Sequence, residues 1–322
     1  MSQAVEGRAN GLALRVEHGG LHRHVYARFH RTYCKCGREA THRKNIFGEI
    51  VGIWYKREER SGGAIVKICI LASSSAGNST FIATDRTRVL IDAGLSRREI
   101  AKRLAFIGED IQALDAILVT HEHSDHTCGL AAMAKVREPQ LPIYLTEGTA
   151  PFIDWGESAP VLERFQAGRC FPVGDFDVAS FTIPHDAADP VGYTLAAQGV
   201  KIGIATDLGY VTDSLRVHLG GTDLLLLESN HDLEMLRVGP YPWSVKQRVM
   251  SRKGHLSNEV AADFIENDLD VRVSTLVLGH ISEHNNHPEL VRNMGLKALD
   301  GRALFTRLVV AEPGVQSEVF WY

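Results

Sequence analysis

The chain has 322 residues, 44% of them hydrophobic and 23% charged, with 35 Lys+Arg against 39 Asp+Glu for a formal net charge of −4. This is enough apolar material for one large domain or two ordinary ones, and no apolar run reaches the ~20 residues a bilayer-spanning helix needs. The N-terminus lacks the apolar stretch of a secretory signal, and five cysteines without framework spacing argue for a reducing compartment, so a cytoplasmic, membrane-free protein is expected.

Residues 1–65 hold 12 Lys+Arg, six Glu and no Asp, which leaves 23 basic against 33 acidic residues downstream. A surface that wraps DNA through overall charge is thereby excluded, whereas a local basic groove or metal-held phosphate is not. This first segment, including "GLHRHVYARFHRTYCKCGREATHRKN", has no sustained period of 3.6 or 2. It reads as an N-terminal extension that is disordered, or absent if translation starts at Val66. The alternative is a small zinc site at Cys34 and Cys36 with His30 and His42, on a Cys-x-Cys spacing weaker than paired Cys-x₂-Cys units.

From residue 66 onward strands and helices alternate. Strands are expected at 66–72, 79–84 and 88–94, followed by a helix over 96–108 with Ser96 as N-cap, Glu99 completing a capping box and Gly108 as stop. Further strands follow at 116–120, 142–146, 176–183, 191–197, 200–206, 222–229 and 274–280, with helices at 129–137, 242–252, 257–267 and 288–299. The C-terminal run reads as a hairpin around Pro313-Gly314. An α/β fold of two packed sheets flanked by helices is the architecture this order predicts.

The densest chemistry lies in "VTHEHSDHTCGL" (119–130), just after the apolar run "AILV". Three histidines and two acidic residues within six positions must each be wet, paired or bound. Solvated histidines at a capped helix start do not account for that density, and the neutral imidazoles and carboxylates suit Zn²⁺ or Mn²⁺.

His121-x-His123-x-Asp125-His126 resembles the H-x-H-x-D-H signature of the metallo-β-lactamase fold superfamily, and the resemblance implies a four-layer αββα sandwich. Other positions match in order: Asp92 in "LIDAG", His185 in "TIPHDA", Asp207 in "GIATDLG" and His280 in "LVLGHIS". By resemblance, His121, His123 and His185 hold one metal ion, Asp125, His126 and His280 a second, and Asp207 both, while Asp92 orients the ligand loop. A water between two such ions is activated for hydrolysis, and Asp125 and Asp207 are placed to take its proton.

Substrate must be read from other residues, since the fold hosts many hydrolyses. "ILASSSAGNST" (70–80) offers Ser74 and Asn78 in a turn that presents N–H and hydroxyl groups to phosphate, or is merely a turn. Asn230 and His231 in "ESNHD" and His255 in "KGHLSNE" are candidates for phosphate contact or leaving-group protonation, against a reading as solvated histidines. With "LIDAGLS" and "GHISEHNN", these stretches resemble the YycJ/WalJ-type branch, which implies a 5′-to-3′ DNA exonuclease with a place in repair, acting on single strands or 5′ ends rather than RNA. The competing readings are another phosphodiesterase or RNase of the same fold, a glyoxalase- or lactonase-type hydrolase of thioesters or esters, and a binding module without catalysis.

Overall fold

The computed structural model describes residues 65–302 and 305–322, so the readings for residues 1–64, the zinc-site alternative among them, lie outside the described residues. The first sheet contains β1 (Lys67–Ser74), β2 (Gly77–Ala83), β3 (Arg88–Ile91), β4 (Ala116–Leu118), β5 (Pro142–Thr146) and β6 (Val161–Phe165). The second contains β7 (Cys170–Val173), β8 (Phe176–Thr182), β9 (Val191–Ala197), β10 (Val200–Ala205), β11 (Leu224–Glu228), β12 (Thr275–Gly279) and β13 (Arg307–Val310). β14 (Phe320–Trp321) then returns to the first sheet and pairs antiparallel with β1.

Strands apolar on both faces set the layering, because each face must be covered. In β1, Ile68 and Ile70 join Leu224, Leu226 and Val277 in the core between the sheets. The intervening Cys69 and Leu71 face the other way, packing with Ile100 and Leu104 of α1 (Arg97–Phe106). A short helix α2 (Ser124–Thr127) precedes α3 (Leu130–Met133), whose Leu130 and Met133 join the same outer cluster. On the far side, Leu225 and Leu227 pack with residues of α4 (Asp213–Leu219), α7 (Asn258–Asn267) and α8 (Pro288–Asp300). α5 (Leu233–Val238) and α6 (Trp243–Val249) lie between α4 and α7 in the chain. The result is the expected αββα sandwich.

β3 to β6 run parallel, as do β10 to β13. Parallel neighbours end on the same edge of a sheet, so the residues following β3 and β4, and those following β10, β11 and β12, gather at one edge of each sheet. Caps agree with the sequence: the Ser96 hydroxyl accepts the Glu99 N–H at 3.3 Å, and the Ser257 hydroxyl accepts that of Val260 at 3.3 Å.

The expected C-terminal hairpin is corrected. β13 pairs parallel with β12 in one sheet and β14 antiparallel with β1 in the other. α8 crosses over between β12 and β13 and satisfies that edge first, so the Pro313-Gly314 turn lies in a connection between sheets. The helix expected over 129–137 spans only Leu130–Met133. β6 has no apolar run to reveal it, being an edge strand with largely exposed side chains; β7, α4 and α5 are likewise too short or too polar for a clear period. Among the described residues no helix is long and apolar enough to cross a membrane.

Candidate metal centre

Each gathering strand ends on a chemically active side chain, and three of those residues adopt left-handed backbone: Asp92 (φ 59°), Asp207 (φ 63°) and His280 (φ 54°). Non-glycine residues accept this conformation at a cost of ~1 kcal/mol or more, and it persists where surrounding structure enforces it. After β4, the chain places His121 in the strand's extension, His123 at the N-cap of α2, and Asp125 and His126 within that helix. This loop is bonded to the end of β3: Ala93 N–H donates to His126 C=O at 2.9 Å and Gly129 N–H to Ala93 C=O at 2.8 Å. Glycine is required at 94, where a Cβ would lie 1.6 Å from the Asp125 carbonyl oxygen.

The donor atoms converge. His123 Nδ1 lies 3.1 Å from His121 Nε2 and 3.3 Å from His185 Nε2. A single proton on His123 Nδ1 can satisfy only one of those neighbours, while a cation between the three satisfies all. On the other side, Asp125 Oδ2 is 3.4 Å from His126 Nε2 and 3.8 Å from His280 Nε2. Asp207 lies between the sets, Oδ1 3.7 Å from His185 Nε2 and Oδ2 3.3 Å from His126 Nε2 and 3.0 Å from His280 Nδ1. Within each of the triads His121–His123–His185, His121–His126–Asp207 and Asp125–His126–His280, the ligand atoms lie within 4.8 Å of one another.

Burial and the neighbouring carboxylates pull His121 and His126 in opposite directions. Burial, reinforced by the charge of His126, holds His121 well below the ordinary histidine range and keeps its lone pair available. Burial would also lower His126, but Asp207 and Asp92 beside it outweigh that and hold it well above. Asp207 is 2% exposed, and although burial opposes ionisation, His280 and His126 hold its carboxyl well below the carboxylate range. Imidazoles and carboxylates without thiolate fit a pair of divalent ions such as Zn²⁺ or Mn²⁺ rather than a closed structural zinc.

Asp92 braces the set. Its Oδ1 accepts Thr120 N–H at 2.8 Å, and its Oδ2 accepts the Thr120 hydroxyl at 2.9 Å and His126 Nδ1–H at 2.8 Å. The last bond fixes the tautomer of His126 and leaves Nε2 toward the donor cluster.

A family model described as a beta-lactamase superfamily domain matches residues 87–281, the span that carries Asp92, the seven candidate ligands and Asn230, His231 and His255. The chain belongs to the metallo-β-lactamase fold superfamily. Within it, the chain falls in the YycJ/WalJ-type branch. It is 39% identical over 229 residues to the exodeoxyribonuclease WalJ of Streptococcus pneumoniae, covering 70% of this chain and 84% of that protein. It is 38% identical over 231 residues to the exodeoxyribonuclease YycJ of Bacillus anthracis, covering 69% and 85%. The metallo-beta-lactamase fold protein YhfI of Bacillus subtilis superposes with a TM-score of 0.61 at 16% identity, over 80% of this chain and 100% of that one, a likeness of fold.

Around this metallo-β-lactamase centre a cavity of about 260 Å³ opens, lined by His123, Asp125, His185, Asp207 and His280 and by further residues of both sheets' edges. Asn230 and His255 are on its wall, and Asn230 Nδ2 donates to the His280 carbonyl at 2.9 Å. Ser74, Asn78 and His231 are not. Ser74 is the last residue of β1, and the exposed Ser75 of the tight turn lines the cavity instead. Asn78 lies behind the candidate ligands, its Nδ2 3.2 Å from Asp125 Oδ2 and 3.0 Å from His126 Nε2. His231 is 1% exposed, and burial pushes its imidazole down to about 4, a neutral packed ring.

Sequence reasoning missed Glu228. This carboxylate is fully buried; Oε2 accepts the N–H groups of Leu208 at 2.7 Å and Leu256 at 3.1 Å, and Oε1 accepts His255 Nδ1–H at 2.8 Å. Burial alone would lower His255, but Glu228 raises it to about 9. The signal was present in "LLLLE": an acid ending a wholly apolar strand must find partners. Asp186, Tyr241, Arg248, Ser282 and Asn285 also line the cavity; Asp186, Ser282 and Asn285 lie within the stretches "TIPHDA" and "GHISEHNN" without having been singled out, and Tyr241 and Arg248 carried no pattern to find them by.

Proposed function

We propose that this metallo-β-lactamase-fold exonuclease degrades DNA from 5′ ends, with residues 66–322 as its catalytic domain and Zn²⁺ or Mn²⁺ as its ions. The observation that carries the reading is Asp207, one carboxylate with an oxygen facing each of two donor sets. His121, His123 and His185 would hold one ion, and Asp125, His126 and His280 the other. Bound there, two divalent ions lower the pKa of a water and neutralise charge on the phosphate.

The chain's own groups supply the rest. Asp125, at the cavity, and Asp207 are the carboxylates within reach of a proton leaving that water. His255 gives Nδ1 to Glu228 and so has Nε2 for the oxygen that departs when the P–O bond breaks. Ser75 and Asn230 offer hydrogen bonds to the terminal nucleotide from the cavity wall. The names of the WalJ and YycJ relatives support DNA as substrate, and a role in cytoplasmic DNA repair belongs to the same reading.

The test is digestion of 5′-phosphorylated single-stranded DNA and RNA of one sequence, labelled at either end, with Mn²⁺ or Zn²⁺. Shortening of DNA from its 5′ end is expected; internal cuts, 3′ shortening, preference for RNA, or turnover of thioesters alone would overturn it. His255→Ala should slow DNA hydrolysis by ~10²–10⁴ yet spare a p-nitrophenyl phosphodiester, whose leaving group needs no proton. Equal losses on both substrates would remove His255 from that role.

A further inference from the structure

The acidic balance of the body leaves open how a polyanion is held near the centre. From Met235 to Asn258 the chain has five basic residues (Arg237, Lys246, Arg248, Arg252 and Lys253) and no acidic one, although residues 66–322 hold 23 basic against 33 acidic residues. This stretch includes α6 and the turn after it. One of the basic groups is structural: Lys246 is 8% exposed and donates to the Arg237 carbonyl at 2.8 Å; Arg237 is exposed, pairs with Glu234 along α5 and is not on the cavity wall. The other three are solvent-exposed.

These three stand beside the metal centre. Arg248 is on the cavity wall with Tyr241, tied by one contact of 3.2 Å to Asp186, the neighbour of His185. Arg252 and Lys253 lie in the tight turn ending at Gly254, whose carbonyl is 3.2 Å from Nδ1 of the ligand His185. The same turn leads directly into His255. The Arg252 guanidinium sits 4.1 Å from the centroid of Tyr210, three residues past Asp207. Tyr241 is half-buried at the cavity, edge-on to the exposed ring of His284 at 6.0 Å. Asn285, 1% exposed, lines the cavity with its Oδ1 unbonded within the protein.

We propose that this rim is the track for a single DNA strand, with Arg248, Arg252 and Lys253 taking phosphates that flank the scissile one and Tyr241 stacking on an unpaired base. A basic groove interleaved with aromatic rings beside a catalytic centre is what a strand needs, since phosphates supply charge and every base supplies a π face. Duplex is disfavoured by the ring, because paired bases have no free face for Tyr241. Arg248 exchanges its exposed pairing with Asp186 for phosphate at little cost, such surface pairs being weak.

This inference rests on the exonuclease reading, and binding separates the two. Metal-loaded full-length protein would be titrated with a dye-labelled, non-hydrolysable phosphorothioate strand over a range of salt concentrations. The Arg248→Gln/Arg252→Gln/Lys253→Gln variant should lower the slope of log K against log salt by about 2, near 0.7 for each phosphate lost on a single strand. Tyr241→Ala should weaken the normal strand roughly 5- to 150-fold and leave an abasic strand unaffected. An unchanged slope, equal loss on normal and abasic strands, or duplex bound as tightly as single strand would overturn the track. Wild-type protein that degrades DNA while the variants bind as it does defeats the track alone; wild-type protein that neither binds nor degrades defeats the exonuclease reading.

Discussion

Replacing Asp92 by Asn changes one atom of a carboxylate that accepts from Thr120 N–H, the Thr120 hydroxyl and His126 Nδ1–H. Asparagine tolerates the left-handed backbone at this position (φ 59°), so the fold survives. With the amide oxygen retained by Thr120 N–H, the new NH₂ lies against His126 Nδ1, which must then be the unprotonated nitrogen. The imidazole proton moves to Nε2, the atom 3.4 Å from Asp125 and 3.3 Å from Asp207, and that atom loses its lone pair for a cation. Such outer partners of ligating histidines are worth ~10- to 100-fold in metal affinity, or ~1.4–2.8 kcal/mol. Asp92→Ala is the contrast: three donors lose their acceptor at ~1–3 kcal/mol each, less what water recovers, so unfolding free energy should drop by ~3–5 kcal/mol. Chelator-competition titration of Zn²⁺ reads the first variant and urea denaturation the second. An Asn variant that holds both ions as tightly as wild type refutes the tautomer argument.

Other perturbations probe other layers. Gly94→Ala puts a Cβ 1.6 Å from the Asp125 carbonyl oxygen and should displace the ligand loop, costing ~1–3 kcal/mol and most bound metal; unaltered metal content would show that the loop can give way. Leu226→Ala, in the core between the sheets and 2% exposed, should lose ~2–5 kcal/mol in urea denaturation while the metal:protein ratio holds. His231 has a folded pKa of about 4 against an ordinary value of ~6.5. Its neutral form is therefore favoured by folding: the contribution is complete above ~6.5 and is lost as pH falls toward 4, up to ~3 kcal/mol. His231→Gln should flatten the stability profile of the metal-free protein between pH 6.5 and 4 relative to wild type; an identical profile would place the proton elsewhere.

The histidine-rich loop was legible as a candidate site because a dense set of imidazoles and carboxylates placed after apolar strands needs no partner choice to be recognised, and the two-sided apolar strands declared a sandwich. Substrate contacts were less so, because a one-residue step decides which side chain faces a cavity: Ser74 closes a strand while Ser75 faces out. His231 looked equivalent to His255 in sequence, yet only His255 faces Glu228 across 2.8 Å, a pairing that depends on where β11 ends relative to the turn after α6. The C-terminal hairpin failed for a similar reason, as a Pro-Gly turn between two apolar runs does not reveal that each run has a partner in a different sheet.

Metal analysis of purified wild-type protein and Asp207→Asn, paired with digestion of 5′-phosphorylated DNA by the same preparations, tests the central claim most directly. Two divalent ions per wild-type chain with 5′ shortening, and a variant that stays folded but loses metal and digestion together, is the predicted result. A variant that keeps two ions and digests at the wild-type rate would contradict the account, because one carboxylate shared between two donor sets would then not be what organises the site.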